Sequence, residues 1–173
     1  MSSTSDLLSW KPITRIRRNH ALEHATLQIL SRSNPFARMA GYSDMHGFWL
    51  VGDISTDGLA AAVEEALARL RAGEAGLAIH PNCGTNYVTT GFLAGLAAWL
   101  SMLGTSSGFR RKLDRLPVII SVVTLVLVFS APLGPYLQAK LTTQPQIGNL
   151  QVARIERSLR QNKMPVHRII TRG

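Results

Sequence analysis

Along the first half of the chain the apolar positions recur with helical spacing, then alternate, then recur helically again. In segment 14–32, Ile16, Leu22, Ala25, Leu27, Ile29 and Leu30 supply the apolar positions, and Ser33-Asn34-Pro35 ends the helix. Segments 36–41 and 48–52 read as two short strands joined around Ser43-Asp44-Met45-His46-Gly47. Thr56 caps a second helix over 57–71, with Leu59, Val63, Ala66, Leu67 and Leu70 on one stripe and Gly73 as its stop. Segment 75–80 predicts a third strand. The order helix-strand-strand-helix-strand predicts a small α+β head over 1–87, with its helices on one face of a sheet.

The pattern changes after residue 80. No charged side chain occurs from Pro81 to Phe109, and 88–104 reads VTTGFLAGLAAWLSMLG. A second uncharged stretch, 116–138, reads LPVIISVVTLVLVFSAPLGPYLQ. About 20 helical residues cross a ~30 Å hydrocarbon layer, so 88–106 and 116–138 are expected to form a two-helix transmembrane hairpin. Gly91 with Gly95 and Ala94 with Ala98 have the small-xxx-small spacing that lets helices approach closely. A short basic tail over 139–173 follows, with an amphipathic helix expected at 151–160 and a strand at 166–171. Both apolar stretches lie well inside the chain, and MSSTSDLLSW at its start has no long apolar region, so no signal peptide is expected.

The composition sharpens this picture. A chain of 173 residues is near the size of one domain, and 46% hydrophobic against 17% charged residues excludes a disordered polymer. The net charge of +9 is unevenly placed: 1–87 is balanced, 105–115 carries +3 and 138–173 carries +6. Two crossings put head and tail on one side of the bilayer. The more basic tail, and a single cysteine suited to a reducing compartment, place both in the cytoplasm of an integral plasma (inner) membrane protein. Arg154, Arg157, Arg160, Lys163, Arg168 and Arg172 are expected to meet anionic lipid headgroups. No aromatic-and-basic reading module is visible, so nucleic acid is not expected as a partner.

The candidate chemistry begins at His20-Ala21-Leu22-Glu23-His24. Residues four apart share a helix face, so the two imidazoles can converge on one metal ion. Glu23 adjoins that face, where it can act on a metal-bound water without being a ligand; this is the inverted zinc motif H-x-x-E-H. Neutral imidazoles leave positive charge on the metal and acidify its water, and the carboxylate takes the proton as water attacks. The bland reading is a solvated turn in which these side chains pair with Arg15, Arg17 and Arg18. Against it stands a third ligand, Cys83 in His80-Pro81-Asn82-Cys83-Gly84-Thr85-Asn86. A His2Cys set suits Zn2+, or Fe2+, and leaves a position open. His80 is the rival third ligand or a supporting group. Asn82 and His46 are further candidates for that supporting shell, and His167 is read as structural.

Three pieces in this order resemble the S-ribosylhomocysteine lyase family and, more distantly, the pitrilysin and mitochondrial-processing-peptidase metallopeptidases. HALEH at 20–24 resembles HTLEH. Gly47-Phe48-Trp49 followed by Gly52-Asp53-Ile54-Ser55-Thr56-Asp57 resembles a GFY strand and GTPDE helix start. Asn82-Cys83-Gly84-Thr85 resembles a QCG turn. The resemblance covers about residues 15–87. It implies His20, His24 and Cys83 as ligands, Glu23 as base, and a homodimer with sites between subunits. The lyases' second cysteine has no counterpart in Ala40-Gly41-Tyr42-Ser43, so sugar-thioether lysis is not expected. With RNHALEHA and HPNCGTN framing the head, the whole chain also resembles an uncharacterised bacterial family of small membrane proteins, a likeness that supplies no activity. The expected function is a membrane-anchored, peptidase-like metallohydrolase acting on a membrane-proximal peptide. The alternative is a non-catalytic assembly or adaptor protein with a structural metal, or none.

Overall fold

Helix α1 (Lys11–Ser33) carries Pro12 in its first turn, where a missing N–H costs nothing and the fixed φ suits a helix. The computed structural model describes residues 8–104, 108–159 and 165–173. Before Pro35, α1 ends at Asn34, with Arg32 in the last turn beside the free carbonyls. Its inner face, Ala21, Leu22 and Ala25, is completely buried. Strands β1 (Met39–Asp44) and β2 (Gly47–Gly52) form an antiparallel hairpin in register Met39 to Gly52, turning at Met45-His46. The first strand therefore starts later than expected, and Phe36 is exposed. Helix α2 (Thr56–Arg71) is capped by Ser55 rather than Thr56: Ser55 Oγ accepts from Gly58 N at 3.1 Å.

Two expected elements are replaced. Segment 75–80 is not a strand; it is a 3-10 turn (Ala75–Ala78) leading into extended backbone. Its carbonyls are engaged by side chains instead of a ladder: Gln28 Nε2 donates to Leu77 O and Ile79 O at 2.9 Å each, and the His24 ring bonds Ala78 O. The tail helix expected at 151–160 is also wrong. Residues Gln151–Leu159 form β3, and Pro165–Arg172 form β4. Val152 and Ile155 both pack against the core, a spacing of three that mimics a helix. A bulge between Val152 and Arg154 makes this possible by resetting the strand's alternation.

The four strands make one antiparallel sheet in the order β1-β2-β4-β3. Phe48 opposes Ile169 and Leu50 opposes His167, so the segment expected to be an appended tail supplies half the sheet. With α1 and α2 these strands enclose Leu22, Phe48, Leu50, Leu59, Val63, Ile147, Leu150 and Ile169, all at most 1% exposed. By their internal contacts the described residues form two compact units. One takes the residues up to His80 with Gln138–Gly173, and the other is Pro81–Leu137.

In the sheet unit, Arg168 Nη2 donates to Asp44 Oδ1 at 2.8 Å, and the guanidinium stacks 4.8 Å over the Trp49 ring. Burial works to raise the Asp44 carboxyl, but hydrogen bonds from Arg168 and the His46 N–H, with their charges, hold it below the ordinary aspartate range. A carboxyl lowered in the fold contributes stability that is complete above its unfolded pKa and lost as pH falls through the folded one. Asp44→Asn leaves a nearly buried guanidinium without its counter-charge and is expected to cost about 1–2 kcal/mol near neutral pH. Thermal unfolding should show that difference closing on acidification below the usual carboxylate range.

The second unit contains α3 (Gly84–Met102), α4 (Phe109–Asp114), α5 (Leu116–Ser130) and α6 (Leu133–Leu137), with α3 packed against α5. The two-helix transmembrane hairpin expected over 88–106 and 116–138 is not supported. Among the described residues one helical run, Phe109–Ser130, of mean hydropathy 2.0, is long and apolar enough to cross a membrane. Helix α3 falls short because Thr85, Asn86, Thr89, Thr90 and three glycines dilute its apolar residues. The second apolar stretch is likewise interrupted after Ser130, before the short α6 and a π-helical turn (Gln138–Thr142).

Candidate metal centre

The helical register of α1 brings His20 and His24 together as the four-residue spacing requires, with ring centroids 4.2 Å apart. Each ring is oriented by a backbone carbonyl: His20 Nδ1 lies 2.9 Å from Thr142 O and His24 Nδ1 2.7 Å from Ala78 O. A carbonyl can only accept, so each Nδ1 carries a hydrogen, and a metal would be met through Nε2. Cys83 is buried and stands at the N-cap of α3, where its Sγ accepts from Thr85 N at 3.4 Å. The ligand atoms of His20, His24 and Cys83 lie within 4.8 Å of one another. Soft sulfur with two imidazoles is a donor set for zinc or ferrous iron, and three ligands leave one tetrahedral position open.

Glu23, one residue before His24, is 4% exposed and packs over Gly41 of β1, where a Cβ would fall on its carboxylate. Ser43 Oγ, also on β1, donates to Glu23 Oε2. Burial pushes the Glu23 carboxyl above its ordinary range; the Ser43 hydrogen bond and the nearby His20 oppose this. The bland reading in which Glu23 pairs with neighbouring arginines does not hold, since its carboxylate faces the sheet.

His80 is the next imidazole, its centroid 5.6 Å from that of His24. Burial first, and His24 second, hold its ring below the ordinary histidine range, so it is neutral near pH 7. Its backbone is clamped at both ends by the buried Gln138, whose Oε1 accepts from His80 N at 2.8 Å and whose Nε2 donates to His80 O at 3.0 Å. Asn82 lies in the turn just before Cys83. His46 lies in the β1–β2 turn, outside the three-residue cluster, its N–H donating to Asp44 Oδ1 at 2.7 Å. His167 is fully buried in β4, its Nε2 3.2 Å from Thr56 Oγ1, a structural placement. Gln138, Thr142, Ser43 and Gln28 also shape the site and belong to no motif visible in the sequence.

Comparison with known proteins gives a family without an activity. Residues 15–155 match the model of the Domain of unknown function (DUF6391). An uncharacterised protein of Picosynechococcus sp. is 33% identical over 165 residues, covering 88% of this chain and 77% of that protein. No solved structure matches the chain. The His-Glu-His turn of α1, the Cys83 cap and most of the sheet fall inside the matched span, and the chain belongs to the DUF6391 family.

Proposed function

We propose that this chain is a membrane-associated, metal-dependent hydrolase in which His20, His24 and Cys83 hold one Zn2+ or Fe2+ ion and Glu23 is the general base. The observation that carries the reading is the convergence of the three donors within 4.8 Å beside a buried carboxylate held by Ser43. A bound divalent cation supplies a Lewis acid that polarises a carbonyl and acidifies water. Glu23 takes the proton of the attacking water and passes it to the leaving amine, while Ser43 fixes the carboxylate's orientation. The substrate class is a peptide amide close to a membrane surface. That choice draws on the apolar run Phe109–Ser130 and on the resemblance to metallopeptidases. The exposed Arg154, Arg157 and Arg172 favour the cytoplasmic face and its anionic headgroups, whereas Arg168 is nearly buried against Asp44, and Arg160 and Lys163 lie outside the described residues.

Glu23→Gln is expected to keep the metal and lower peptide hydrolysis by about 100-fold or more, the usual weight of a positioned base. The nearness of His80 to His24 favours a second reading, a closed four-ligand structural site in an assembly or adaptor protein. No turnover from either protein, with a four-ligand spectrum of the cobalt-loaded wild type, would decide for that reading.

A further inference from the structure

Lys11, Arg15 and Arg18 are spaced four and three apart, so they share one face of the opening turns of α1. That face lines a cavity of about 690 Å3, to which the β1–β2 turn adds His46. This is the size of a small-molecule site. Among the described residues, no aspartate or glutamate lines it. The nearest acid in sequence, Asp44, already accepts from Arg168 and from His46 N. Arg15 is braced, its Nη1 donating to Gly173 O at 3.0 Å and its Nη2 to Thr171 O at 2.6 Å. The Arg18 guanidinium lies against Gly148, a left-handed glycine at φ +56°, where a Cβ would stand 3.2 Å from both its terminal nitrogens. Its buried Nε has no hydrogen-bond partner among the described residues. Pro12, Met45 and Leu150 make the walls in part apolar.

Three permanent cations held around one concavity repel each other, and an anion that enters removes that repulsion while satisfying their donors. Planar guanidinium groups match the paired oxygens of a phosphate. We infer that this cleft binds a phosphate-bearing anion of small-molecule size, with Arg18 and Lys11 as its principal donors and Arg15 supplying charge. The site uses none of the metal-centre residues and stands whether or not the chain is a hydrolase.

The test uses the full chain in neutral-detergent micelles, titrated with inorganic pyrophosphate and, separately, with phosphatidylglycerol against phosphatidylcholine. Saturable binding of one equivalent is expected, weakened at least about tenfold by Lys11→Gln and by Arg18→Gln and unchanged by Arg38→Gln, an exposed cation outside the cavity. Lys11 is exposed, so its variant keeps the fold, which unfolding curves check. Saturation by pyrophosphate identifies a soluble phosphate compound, and saturation by phosphatidylglycerol alone identifies a lipid headgroup; either supports the cleft. Silence to both probes, or an equal loss with Arg38→Gln, overturns it.

Discussion

Cys83→Ser is expected to weaken zinc uptake by the proposed site while leaving α3 intact. The serine hydroxyl caps a helix at least as well as the thiol, so the N-terminus of α3 keeps its side-chain acceptor. What is lost is the sulfur, the one soft donor in the cluster. Binding to a three-donor site draws its free energy from few contacts, so removing one should weaken affinity by at least about tenfold, and by more for the thiolate than for an outer partner. His24→Ala should fall at least as far, since it also breaks the hydrogen bond to Ala78 O. His46→Ala, outside the cluster, should keep the wild-type content. Elemental analysis of purified protein gives the metal per chain, and the sulfur-to-metal charge-transfer band of the cobalt form reports the thiolate directly. Unchanged zinc in Cys83→Ser would transfer the third position to His80, whose ring is already 5.6 Å from His24.

The donors were legible because they are rare residue types in a pattern with geometric meaning. Two histidines four apart on an amphipathic helix must share a face, and a cysteine between Asn82 and Gly84 announces a turn. The supporting groups carried no such mark. Thr142 contributes only a backbone carbonyl, from 122 residues away, and no residue type encodes that. Gln138 is a glutamine in a stretch read as the end of an apolar run, yet it clamps both backbone groups of His80. The strand at 151–159 was hidden by its bulge, which gave Val152 and Ile155 a helical spacing. The 3-10 turn at Ala75–Ala78 was hidden because amide and imidazole side chains stand where strand partners were expected. Helix α3 is uncharged without being apolar enough to cross a membrane, because threonine, asparagine and glycine carry no charge yet dilute its apolar residues.

The β2–β4 seam holds these distant pieces together, and its weakest tolerance is at Gly47. This residue sits at φ +144° opposite Ile170, in a backbone region L side chains rarely adopt. A Cβ there would fall on the Ile169 carbonyl oxygen and lie 3.2 Å from Ile170 Cα, both backbone atoms that no rotamer change can move aside. Gly47→Ala must therefore force the central strands β2 and β4 apart next to the fully buried Phe48, Leu50 and Ile169, at an expected cost of about 3 kcal/mol or more. Gly73→Ala isolates the strain alone, since φ is +93° and nothing lies within 4 Å, and should cost about 1–2 kcal/mol. Gly76→Ala, with neither strain nor contact, should change little. Unfolding midpoints of the three variants should follow that order, and a Gly47 variant no weaker than the Gly73 variant would refute the close approach of β2 and β4. The seam also closes the region of the sheet unit that returns Thr142 to His20 and Gln144 N to Arg17 O. Loosening it should therefore lower zinc affinity although no ligand has been touched.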